Sequence, residues 1–156
     1  MNQAIIFSEH DLPWVTLTPG IEMQIYHADE TTGCWTVKIH MHPGSTLPPH
    51  RHIGASEFYI IEGEGNHPQS GDFKPGDYAY EPKGAVHTAV HAENDIYLYM
   101  VSYGAGEFTK PDGSILYVGD AAYFKKQMGN SFFDVLARKI KYFLLIYMWK
   151  KIKGRG

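Results

Sequence analysis

His50 and His52, two residues apart between Pro48-Pro49 and Gly54, are the pair on which chemistry in this chain can be built. Residues two apart on a strand project to one face, about 6.5–7 Å apart along the chain, so both imidazoles can turn toward one ion. Glu57 follows and adds a carboxylate. Its odd separation from His52 would send it to the opposite face of a straight strand. Gly54 lies between them, and a break there would let Glu57 turn back. A third imidazole, His87, ends the run Gly76-x5-Pro82-x-Gly84-x2-His87 and must come from a distant strand. Three neutral imidazoles and a carboxylate leave open positions on a six-coordinate ion. That suits Fe(II), Mn(II) or Ni(II), whereas structural zinc sites are more often closed and tetrahedral. The spacing predicts a metal centre of His50, His52, Glu57 and His87.

The remaining histidines divide. His91 lies four residues past His87 and would share its inward face on a regular strand. It is the candidate catalytic residue, placed to hydrogen-bond substrate or accept a proton, with a buried histidine bonded to backbone as the alternative. His40 and His42 share parity with Lys38 and are expected on a solvated strand face. His67, in a Gly/Pro/Asn turn, is expected in solvent. Tyr59 and Ile61 share parity with Glu57, and Tyr78 and Tyr80 share a face before His87. They are expected to line an aromatic pocket or to pack in the core.

Those residues need elements to hold them. The chain has 156 residues and 44% apolar content, enough for one buried core. Its 16 glycines and 9 prolines are spread along it, as suits many short strands joined by tight turns. Thr36-Val37-Lys38-Ile39-His40-Met41-His42 alternates with period two, the sign of a half-buried strand. Roughly eight to ten short strands can be read at the turn spacing of a sandwich or barrel. The single cysteine, Cys34, excludes an internal disulfide framework and fits a reducing compartment. No signal peptide is read near residue 1, and the cytoplasm is expected.

Charge is unevenly placed. Residues 1–130 hold 7 Lys/Arg and 16 Asp/Glu, a balance of −9, while residues 131–156 balance at +6. The acidic body excludes a nucleic-acid platform, which needs a basic surface. From Ser131, a plausible N-cap, Leu136, Ile140, Phe143, Leu144 and Tyr147 follow helical spacing among Arg138, Lys139 and Lys141. An all-β body (residues 1–120) with a C-terminal α-helical extension (residues 121–156) is the expected architecture. The basic helix is expected to pack on the barrel or across a homodimer, with peripheral membrane contact as the alternative.

The two histidine segments resemble the two motifs of the cupin superfamily. Gly44, His50, His52 and Glu57 fit Gly-x5-His-x-His-x3–4-Glu-x6-Gly, with Gly63 one residue early. Gly76, Pro82, Gly84 and His87 fit Gly-x5-Pro-x-Gly-x2-His-x3-Asn, with His91 in place of the final Asn. The resemblance spans about residues 13–120. It implies a double-stranded β-helix barrel, jelly-roll-like, with His50, His52, Glu57 and His87 as ligands. Leu47-Pro48-Pro49-His50-Arg51-His52 and Gly76-Asp77-Tyr78-x-Tyr80-Glu81-Pro82 are similar to a subgroup of single-domain cupins. That subgroup resembles 2,4′-dihydroxyacetophenone dioxygenase and the cupin part of zinc-binding anti-sigma factors. The implied activity is cleavage of a carbon–carbon bond beside a carbonyl in a small diketone or hydroxyketone, using non-haem Fe(II) and O2. Zn, Mn or Ni are alternative metals. A zinc-binding, non-catalytic sensor and an isomerase or decarboxylase of a small keto or sugar acid are the competing functions.

Overall fold

In the computed structural model, which describes residue 4 and residues 6–129, short strands lie in antiparallel sheets. The largest has six strands: β1 (Val15–Thr18), β2 (Ile21–Ala28), β3 (Trp35–Met41), β12 (Ile96–Ser102), β6 (Ser56–Glu62) and β9 (Tyr78–Glu81), in that spatial order. A four-stranded sheet orders β10 (Val86–His87), β5 (His50–His52), β13 (Gly106–Thr109) and β14 (Ile115–Gly119). Two small ribbons complete the set. One pairs β4 (Thr46–Leu47) with β11 (Val90–His91), the other β7 (Gly65–His67) with β8 (Gly71–Phe73). The architecture is all-β and jelly-roll-like, with a helix at the C-terminal end of the described residues.

The period-two pattern of β3 plays out as expected. Trp35, Val37, Ile39 and Met41 face inward and are buried, while Thr36, Lys38 and His40 take the other face. Ile21, Met23 and Ile25 of β2 and Ile96 of β12 join them in one core. Closing the β5–β6 corner requires glycine. A Cβ at Gly54 would lie 2.5 Å from the Gly104 backbone, too close for any side chain there. At this corner the chain leaves the four-stranded sheet and enters the six-stranded one.

A helix covers residues 121–129, its first turn capped by Asp120, whose Oδ1 accepts from the Tyr123 amide at 2.7 Å. Phe124 packs its ring 4.3 Å from that of Trp35 and is 2% exposed, so this helix begins by closing the core. This helix precedes Ser131 in the chain. Ser131 and the basic amphipathic stretch after it lie outside the described residues. Among the described residues, no helix is long and apolar enough to cross a membrane.

Candidate metal centre

On β5 the alternation is buried, exposed, buried: His50 and His52 turn inward and Arg51 outward. The Pro82-Lys83-Gly84 turn brings the second segment alongside. Gly84 holds φ +88°, a left-handed value that favours glycine, and its amide donates to the His52 carbonyl at 2.7 Å. The His52 amide donates in turn to the Ala85 carbonyl at 2.9 Å. β10 then pairs with β5 so that His87 stands opposite His50. The three ring centroids lie 5.1, 4.9 and 5.0 Å apart, nearly an equilateral triangle.

The carboxylate in this cluster belongs to Glu81, at the end of β9. It is 5% exposed, with Oε2 3.0 Å from His52 Nε2 and Oε1 3.2 Å from His87 Nε2. His67, at the end of β7, approaches Oε1 at 3.6 Å and is itself buried. The Nε2 atoms of His52 and His87 are sealed from solvent yet lack aligned hydrogen-bond partners. Glu81 is close enough to both for an electrostatic contact but off the bond direction. Buried nitrogens left in this state are what a metal ion would satisfy.

Backbone and side-chain contacts fix which nitrogens are bare. His50 Nδ1 donates to the Pro48 carbonyl at 3.0 Å, leaving Nε2 as the lone-pair nitrogen. For His52 the assignment follows from a chain of hydroxyls. The Gly104 carbonyl can only accept, so Ser102 Oγ donates to it at 2.9 Å. Ser56 Oγ donates to Ser102 Oγ at 2.9 Å. Ser56 must then accept from His52 Nδ1, 3.0 Å away, and His52 Nε2 is left bare. Ser56 and Ser102 are both fully buried, so no water competes.

Electrostatics keeps the donors ready. Burial holds His50 down at about 4, and burial also lowers His87 and His67. Burial pushes the Glu81 carboxyl up, but the neighbouring imidazoles, His52 closest among them, outweigh it, and the net shift is downward. The cluster thus sets imidazole nitrogens beside a carboxylate, a set able to hold a divalent ion. His50, His52 and His87 form one three-donor group within ligand reach, and His67, Glu81 and His87 form another.

Two expected members are corrected. Glu57 is not brought to the histidines. The break at Gly54 occurs, but the residue it turns inward is Ser56, so Glu57 faces outward on β6 and accepts from the Tyr103 hydroxyl at 3.1 Å. His91 also faces out. Residues 88–89 interrupt the strand between β10 and β11, which changes parity; Val90 points inward, and exposed His91 bonds Thr46 Oγ1 through Nδ1 at 2.8 Å. Tyr59, Tyr78 and Tyr80 are exposed rather than packed in the core, and Tyr78 borders a cavity of about 230 Å³ with Phe58, Phe73 and His67. His67 and His40, expected in solvent, are buried. Glu81 carried one usable signal: it alternates with Tyr78 and Tyr80 in register, immediately before the proline of the second motif.

Beside the histidines a cavity of about 60 Å³ opens inside the barrel. His50, His67 and Glu81 contribute its polar edge, and Ile39, Met41, Ile60, Leu98 and Met100 are among its apolar walls.

Solved structures share this architecture. Acetylacetone dioxygenase from Acinetobacter johnsonii superposes with a TM-score of 0.72 at 19% identity, over 84% of this chain and 93% of that one. An RmlC-like cupin from Ralstonia eutropha JMP134 gives 0.75 at 18% identity, over 82% and 86%. A cupin-fold protein of unknown function from the same organism gives 0.74 at 21%, over 86% and 88%. At these identities the likeness speaks for the fold. No curated protein matches the chain in sequence. Residues 2–107 match the family model of the ChrR cupin-like domain, two thirds of the chain, and the protein accordingly belongs to that family within the cupins.

Proposed function

We propose that the protein is a metal-dependent dioxygenase in which His50, His52 and His87 hold Fe(II) and a small β-diketone or hydroxyketone is cleaved beside its carbonyl. The observation that carries this reading is the triangle of three buried imidazoles, with bare nitrogens, at the wall of a small apolar cavity. Bound iron would supply Lewis-acid polarisation of the carbonyl oxygens and access to O2. The chain's own residues do the rest. Ile39, Met41, Ile60, Leu98 and Met100 keep water from the reacting carbons and limit substrate size. The cavity is narrow, about 60 Å³, and so favours a small substrate over a large one. Glu81, ionised and buried, accepts the proton that a β-diketone loses on becoming an enolate. His67, 3.6 Å from Oε1, is placed to stabilise the carboxyl group on its other side. Both atoms of O2 enter the products as one carbon–carbon bond breaks: a β-diketone gives a carboxylic acid and a 2-oxoaldehyde, and an α-hydroxyketone gives two carboxylic acids. The shared fold with acetylacetone dioxygenase supports this substrate class.

A second reading is favoured by Glu81 itself. As a fourth donor beside His52 and His87 it would close a tetrahedral zinc site and make the domain a ligand sensor. Metal analysis of anaerobically purified full-length protein, with O2 uptake on a panel of diketones and hydroxyketones, separates the two. Stoichiometric iron and diketone-dependent O2 uptake, both lost in His50→Ala and His87→Ala, are expected. Tightly held zinc with no uptake after iron reconstitution would establish the sensor instead. Failure to bind any metal would overturn both.

A further inference from the structure

A second histidine cluster sits on the opposite face of the large sheet, where β3 turns His40 outward and the next outward position is His42. We propose that Glu22, His40 and His42 form a second site for a borderline divalent ion of the Zn²⁺ class, independent of the cavity.

The placement follows from register. Glu22 on β2 stands directly opposite His40 on β3, and His40 stands opposite Tyr97 on β12. His40 is held rigidly: its ring stacks on Tyr97 at 4.0 Å and 13°, and Trp14 meets it edge-on at 6.0 Å. Its side chain is 8% exposed. His40 Nε2 lies 2.7 Å from Asp95 Oδ1, and an ionised carboxylate can only accept, so Nε2 carries the proton. In neutral His40 the other nitrogen, Nδ1, is then bare. It faces not a donor but another carboxylate, Glu22 Oε1, at 3.4 Å. His42 Nε2 approaches the same oxygen at 3.4 Å, and its Nδ1 lies 3.7 Å from Asp95.

That geometry is poor for hydrogen bonding and good for a metal. An N–H···O bond settles near 2.9–3.0 Å. Ligands at about 2.0–2.1 Å from a tetrahedral ion stand about 3.3–3.4 Å from one another, which matches both contacts to Glu22. The three donor atoms lie within 4.8 Å of each other. The Asp95–His40 hydrogen bond is the carboxylate–histidine arrangement that fixes the tautomer of a metal-ligating imidazole. Two imidazoles in the set select a transition ion over Mg²⁺ or Ca²⁺, and half-exposed His42 leaves an entry path. The inward residues of the same strand, Ile39 and Met41, line the cavity, so the sheet itself separates the two centres.

The test is titration of metal-stripped full-length protein with Zn²⁺, and with Co²⁺ for its visible tetrahedral bands. Two equivalents are expected in the wild type. His42→Ala and Glu22→Gln should each remove one equivalent and the matching Co²⁺ band, while His50→Ala removes only the other. Both outer-face variants alter partly exposed side chains, and unchanged metal-free melting would confirm that they fold. A wild type that binds one equivalent, lost in His50→Ala, would overturn the proposal. So would a second equivalent that survives both outer-face variants, or a His40 that simply takes a second proton and binds no Co²⁺. If the outer site binds and the inner does not, this inference stands and the proposed function fails.

Discussion

Ser56→Ala tests whether the buried hydroxyl chain sets the metal centre. The substitution deletes the acceptor for His52 Nδ1 and the donor to Ser102, at a position with 0% exposure where no water can step in from solvent. A buried donor stripped of its partner costs about 1–3 kcal/mol. The imidazole escapes part of that cost by moving its proton to Nε2, the nitrogen beside Glu81. That shift places a proton where the metal lone pair is needed. Loss of such a supporting hydrogen bond lowers metal affinity about 10- to 100-fold, equivalent to about 1.4–2.7 kcal/mol, and the two magnitudes agree. The assay is a competitive chelator titration of Ser56→Ala against wild type, with Ser102→Ala as companion. In the companion Ser56 still accepts from His52, and affinity should fall less. Affinity within twofold of wild type in Ser56→Ala, with an unchanged melting midpoint, would refute the tautomer argument.

The metal-free protein should lose stability on acidification. Burial lowers His50 from 6.5 to about 4, so the unfolded chain binds the proton first and stability falls as pH drops from about 6.5 toward 4. His50 alone contributes about 2 kcal/mol between pH 7 and 5, read as a lower denaturant midpoint; a flat profile would show that His50 is not buried neutral. Glu57→Gln and His91→Ala should retain full metal content, since both side chains point away from the histidines; loss of metal in either would overturn the outward placement. Met100→Ala should enlarge the cavity and shift kcat/KM toward bulkier diketones by about tenfold per added methylene or two. An unchanged ranking over a substrate series would remove Met100 from the pocket wall.

Much of the site was legible because its rule is local. His50 and His52 share a face by period two, and the Pro-x-Gly turn before His87 has a fixed shape that returns the chain to β5. The alternation of β3 likewise announced its inward residues. Glu57 and His91 were misread for one shared reason: each lies beyond a break, and period two carries no information across a break. At Gly54 the corner turned Ser56 inward, one residue before the expected acid. Between β10 and β11 two unpaired residues inverted the parity of His91.

His40 shows the complementary limit. Its outward face was read correctly, yet outward on a strand does not mean solvated. Trp14, Tyr97, Glu22 and Asp95 close over it from three other segments, and no pattern within β3 encodes their arrival. Glu81 is the same case on the inner side. Its strand reads as two exposed tyrosines with an alanine and a glutamate between and after them, unremarkable until β5 and β10 arrive beside it. A lone acid at the end of a strand, on the parity opposite two outward aromatics, has no reason to be buried for packing. Here that strand end precedes the turn that delivers His87, and the acid is buried beside that histidine. No glycine intervenes between Tyr78 and Glu81 to break the alternation, so the strand puts Glu81 on the face opposite the tyrosines; which face is inward is decided by β5 and β10.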